Sequence, residues 1–93
     1  MTTHAIVALH ISSPESLAAY RDKAADALAK HGGGVLQASR ELELIEGEAD
    51  LPDIYAILTF PDRDAGLAWI NDQALQYVHE LRRVCGRTEI TLI

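Results

Sequence analysis

Two short segments, His4 to Ile11 and Ile54 to Phe60, are apolar at nearly every position and lack the alternation of a strand with one wet face. They read as strands covered on both sides. A helix start follows each. After the first, Ser13 caps, Pro14 suits the first helical position because its missing N–H has no partner there anyway, and Glu15 sits at the positive end of the helix dipole. Leu17, Tyr20, Ala24, Leu28 and His31 then recur at spacings of three and four until Gly32-Gly33-Gly34 stops the helix. After the second strand, Pro61 and Asp62 open a helix through Trp69. Asn71-Asp72 is a recapping point before a further helical stretch with Leu75, Val78 and Cys85 on one side.

Val35 to Ile45 is expected to be extended with an interruption near Ser39 to Glu41, its outer half alternating Glu41, Leu42, Glu43, Leu44 as a one-sided strand does. An acidic loop from Glu46 to Asp53 follows, and Arg87 to Ile93 supplies a fourth strand. The order β-α-β-β-α-β is the ferredoxin-like α+β pattern with a four-stranded antiparallel sheet, here one domain over residues 1–93. A faint internal repeat agrees with it: Ile6 to Ile11 aligns with Tyr55 to Phe60 and Tyr20 with Trp69, Leu9/Leu58 and Ala19/Ala68 being identical.

In such a fold both helices lie on one face of the sheet. Taking Val7, Leu9, Ala56, Leu58, Ile90 and Leu92 as helix-facing leaves Ile6, Ala8, His10, Tyr55, Ile57, Thr59, Thr91 and Ile93 on the reverse face. That patch is more apolar and more contiguous than a monomer usually exposes. It predicts a homodimer with the two sheets face to face, so that a dimeric α/β barrel results.

The balance of 8 Lys plus Arg against 14 Asp plus Glu gives a formal charge of −6. This field repels polyanions, and nucleic acid is not expected as a partner. A dimer would carry about −12, which makes a neutral or cationic small molecule the easier ligand. No apolar run approaches the roughly 20 residues of a membrane-spanning helix, and Met1 to Ser13 has no basic stretch of the kind that begins a secretion signal. The sole cysteine, Cys85, has no intrachain partner. A cytoplasmic protein is expected.

Several residues carry chemistry. His31 reads either as an acid/base or ligand-binding group at the mouth of a helix–sheet pocket, or as a helix C-terminal histidine interacting with the dipole. His10, Tyr55 and Thr59 fall on the presumed interface face, as a ligand-binding cluster or as a hydrogen-bonded network across the dimer axis. Trp69 is a core anchor or the wall of an apolar site. Arg82 and Arg83 are cations at a helix C-terminus or anchors for a ligand carboxylate. Cys85 reads as a buried, inert thiol. No metal site is expected: His4 and His10 lie roughly 20 Å apart at the strand rise, His79-Glu80 lacks the second histidine of a zinc helix, and the acidic loop lacks calcium-loop spacing. The glycine run follows a helix instead of preceding one, so it is no phosphate cradle. No cofactor is expected.

His31-Gly32-Gly33, Glu46-Gly47, Pro52, Phe60-Pro61-Asp62, Ala68-Trp69, Gln76 and Leu81-Arg82 occur in an order and spacing that resemble a bacterial family of domains of unknown function, the one numbered 1330, within the dimeric α/β-barrel superfamily. The resemblance spans nearly the whole chain. It implies a ferredoxin-like subunit whose sheets close a barrel across a dimer, and it brings no activity. This chain departs from the family pattern at Ile70 and at Asp72-Gln73-Ala74-Leu75, where the family carries a tyrosine and then Ser-Pro-Glu-Tyr. Three functions stay open. One is a binder of a small, mostly apolar molecule between helices and sheet. Another is a cofactor-free enzyme of the oxygenase, cyclase or isomerase type found among superfamily relatives, with His31 as base and Trp69 shaping the cavity. Haem degradation, a further superfamily activity, would need His31 or His79 as ligand. The third is a structural dimer module without a ligand.

Overall fold

Helices follow the first and third strands, where their caps place them. The computed structural model describes all residues, Met1–Ile93. Its elements are β1 (Thr3–Ile11), α1 (Pro14–Ala29), β2 (Gly34–Ser39), β3 (Ile54–Phe60), α2 (Arg63–Asn71), a 3-10 turn (Gln73–Leu75), α3 (Gln76–Arg83) and β4 (Gly86–Leu92). Three side chains start the helical segments as the sequence reading expects. Ser13 Oγ accepts from the Ser16 N–H, Asp62 Oδ1 from the Ala65 N–H at 2.8 Å, and Asp72 Oδ1 from the Ala74 N–H at 2.9 Å.

The sheet order is β2-β3-β1-β4, every neighbouring pair antiparallel, so the fold is the ferredoxin-like α+β arrangement. β1 and β3 are central. Along β1, Thr3, Ala5, Val7 and Leu9 are buried while His4, Ile6, Ala8 and His10 are only half-buried, because the helices cover one face alone. Ala5, Val7, Leu9, Ile54, Leu58 and Phe60 meet Leu17, Leu28, Trp69, Leu75 and Val78 to form the core. The reverse face carries the expected Ile6, Ala8, His10, Tyr55, Ile57, Thr59, Thr91 and Ile93, and the same alternation adds Arg87 and Glu89 along β4. Its centre is apolar and its β4 edge is charged. No helix is long and apolar enough to cross a membrane.

Two expectations are corrected. Glu41 to Leu44 is not a strand. β2 ends at Ser39, which is in register with Tyr55 near the start of β3, so the chain beyond it has no neighbouring backbone to pair with. Alternation makes an amphipathic strand only where a ladder exists. The Ser39 hydroxyl instead accepts from the Glu41 N–H at 3.1 Å, and residues 41–53 run as an irregular arm. The first helix stops at Ala29, before His31. The Gly33 N–H reaches back to the Leu28 carbonyl at 2.8 Å, and Gly32 has φ +72°, the left-handed closure that glycine permits.

Gly86, at φ +152°, pairs with Ile11 where β4 leaves α3, and a Cβ there would overlap the His10 carbonyl oxygen. Gly34 has open space around it. Gly86→Ala should therefore lower stability in urea unfolding by about 2 kcal/mol or more, whereas Gly34→Ala should change it by less than about 0.5 kcal/mol. Equal effects at the two positions would contradict this account of the β1–β4 junction.

Candidate functional site

The helix layer is held by a polar cluster inside the core. Leu75, Val78, His79, Arg82 and Cys85 fall on one stripe of the helical segment at spacings of three and four, and all five are buried. His79 Nε2–H donates to the Trp69 carbonyl at 2.9 Å, near the end of α2, where that carbonyl also accepts the long 3.5 Å bond from the Asp72 N–H. His79 Nδ1 accepts from Arg82 Nη1 at 2.8 Å. An arginine only donates, so these two bonds fix the histidine as the neutral Nε2–H tautomer. Burial, opposed by the Trp69 carbonyl and reinforced by the Arg82 and Arg83 charges, holds its pKa below the ordinary value. The Trp69 and His79 rings meet edge to face at 4.7 Å, and Phe60 lies 5.6 Å from Trp69. The Arg82 guanidinium stands 5.5 Å from the Trp69 ring and 5.9 Å from that of Tyr20.

This cluster lies between rings that wall two apolar clefts. The cleft between α1 and the sheet has a volume of about 230 Å3 and is lined by Val7, Leu9, Tyr20, Ala24, Leu28 and Leu58 among others. It exists because Ala24, Ala25 and Ala38 present only methyl groups where longer side chains would close the gap. The cleft beside α2 has about 150 Å3 and is bounded by Phe60, Gly66, Leu67, Trp69, Ile90 and Leu92. A wider open hollow of about 670 Å3 lies on the reverse face, under the arm, where Leu42, Leu44, Ile45 and Leu51 approach Tyr55 and Ile57.

Of the expected site residues, the structure brings Trp69 and Arg82 together and sets the others apart. Neither His31 nor Arg82 lines a helix-side cleft; Arg82 is one ring removed from each, behind Tyr20 on the α1 side and Trp69 on the α2 side. His31 Nε2 is 2.8 Å from Asp72 Oδ2, the same oxygen that Lys30 Nζ reaches at 2.8 Å. Lys30 first, then His31, holds the Asp72 carboxyl well below the usual carboxylate range. The trio ties the end of α1 to the turn between α2 and α3. His10, Tyr55 and Thr59 lie across the sheet from this layer but do not form the expected cluster, because Thr59 is in register with His4, at the opposite end of β1 from His10, and Tyr55 with Ala8. At the His10 end, Arg87 Nη2 donates to His10 Nε2 at 2.9 Å and to Asp50 Oδ2 at 2.8 Å. Cys85 is buried with its thiol pKa raised by burial, and its S–H donates to the Leu81 carbonyl at 3.2 Å. No three His, Cys, Asp or Glu side chains stand close enough to share a metal ion.

His79 is the member that sequence reasoning missed, having weighed it only as a metal or haem ligand. Its place beside Val78 on the Leu75–Cys85 stripe was the available signal. Because its pKa is lowered, an unfolded chain takes up a proton near pH 6.5 that the folded chain refuses. Stability should fall as pH drops from 7.5 toward 5.5, by at most about 1.4 kcal/mol per pH unit from this group. His79→Gln, whose amide can keep both hydrogen bonds, should flatten that slope in thermal melts; an unchanged slope would contradict the buried neutral imidazole.

The fold agrees with solved structures that share little sequence. A protein of unknown function from Rhodopseudomonas palustris superposes with a TM-score of 0.76 at 19% identity, over 99% of this chain and 80% of that one. A dimeric ferredoxin-like protein of unknown function from Jannaschia sp. CCS1 gives 0.66 at 16% identity, over 100% and 98%. SnoaB, a cofactor-independent oxygenase from Streptomyces nogalater, gives 0.61 at 15% identity, over 99% and 88%. No curated protein matches the sequence. The model of the domain of unknown function DUF1330 matches residues 2–93, and the chain belongs to that family.

Proposed function

We propose that this protein is a homodimer, joined through the reverse faces of its sheets, in which each subunit holds a small, mostly apolar molecule in the cleft between α1 and the sheet. The observation that carries the reading is that cleft, about 230 Å3 with ten of its eleven lining residues hydrophobic. Small, largely preformed apolar hollows with one polar group nearby are what ligand sites are made of. The half-buried Ile6, Ala8 and Ile57 on the reverse face support the pairing, as does the description of the Jannaschia protein as dimeric. His10, Tyr55 and Thr59 then lie within the interface, where their polar atoms have partners to find. A lone, buried, unpaired Cys85 suits a reducing, cytoplasmic setting.

A cofactor-free enzyme is the second reading, favoured by the shared fold with a cofactor-independent oxygenase. His31 as its acid/base would have to leave Asp72 to reach the cleft. The binding reading assigns His31 to holding α1 in place.

N-phenyl-1-naphthylamine, a neutral dye that brightens in apolar surroundings, tests the cleft. One dye should bind per chain, and Ala24→Phe, which fills the space, should weaken it by about tenfold or more with circular dichroism unchanged. Equal binding by the two proteins would exclude this cleft as the site.

A further inference from the structure

Arg82 is 2% exposed and faces no carboxylate. Its guanidinium cannot shed its proton in a protein. A buried charge without a counter-ion is among the more costly features a core can contain, and the flanking faces of Trp69 and Tyr20 offset it only in part. Its one protein hydrogen bond runs from Nη1 to His79 Nδ1. Nε stays buried without a partner, and so does the neighbouring Trp69 Nε1. Both orphaned groups are donors. The bond to His79 occupies the Nη1 side, leaving free the Nε–Nη2 edge, which is a two-pronged fork matched to a carboxylate.

We propose that Arg82 and Trp69 form the anchor for the anionic end of the ligand, which makes that ligand a small carboxylic acid with an apolar body. This rests on the cleft reading above and adds to it. A carboxylate there would accept from the guanidinium fork, with the unpartnered indole N–H as a further donor in the same layer, and its charge would balance the buried cation, which a neutral carbonyl or a water does not. The apolar body extends past Tyr20, whose ring stands 5.9 Å from the guanidinium and borders the α1 cleft, into that cleft. His79, neutral and accepting from Nη1, holds that side of the guanidinium in place. The formal charge of −6 does not oppose this. Solvated surface carboxylates are screened within about 8–10 Å, whereas a desolvated guanidinium acts at contact distance in a medium of lower dielectric.

Octanoate and octan-1-ol, the same apolar body with and without the anion, separate the alternatives by calorimetry. Octanoate should bind about tenfold or more tightly than the alcohol and should shift the N–H resonance of Trp69, the only indole in the chain. Arg82→Met should reduce octanoate to the affinity of octan-1-ol, and Arg82→Lys, which keeps the charge without the fork, should recover only part. Equal binding of the two probes by the unaltered protein overturns the anchor and leaves the cleft standing, a comparison that needs no variant to fold. Binding of neither probe overturns the cleft reading and the anchor with it.

Discussion

Both central strands bear apolar side chains on their two faces, while α1, α2 and α3 all lie on the same side, and everything else in the molecule is arranged around that imbalance. The helix-facing residues Ala5, Val7, Leu9, Leu58 and Phe60 are buried as a core should be. Their alternate neighbours Ile6, Ala8 and Ile57 are left half-covered. A two-layer domain needs a second layer on each apolar face. The three helices supply one such layer, and we propose that a second copy completes the other face.

On the covered side the packing is not what stability alone would select. Apolar residues at positions 79 and 82 would fill the stripe without desolvating a cation, and such replacements are often neutral or stabilising. Instead the stripe carries an imidazole bonded to the α2 carbonyl and a guanidinium bonded to the imidazole, with two donors unsatisfied. Places where a core breaks its own rules are where function is found. The alanines of α1 make the same point from the other direction, because they leave a cleft where larger side chains would have closed the core.

The strands, the caps and the faces of the sheet were legible because each depends on residues close in sequence. Ser13, Asp62 and Asp72 cap where their positions say they should, and the alternation in β1 and β3 assigns their side chains to the correct faces. Asp72 stands where the family pattern has a serine, another capping type, so the departure keeps the turn. The end of β2 was not legible: Glu41 to Leu44 has the pattern of a strand but no partner within the subunit. The site was harder still. His31 meets Asp72 across 41 positions, and Arg82 meets Tyr20 across the helix layer, pairings that no local periodicity encodes. Arg82 read as a helix-end cation, yet its stripe position carries it into the core.

Sedimentation equilibrium at micromolar to tens of micromolar protein tests the central claim most directly. A protein whose second apolar face is covered by its own copy should sediment at twice the chain mass of 10.2 kDa across that range. A single species at the chain mass would contradict the account.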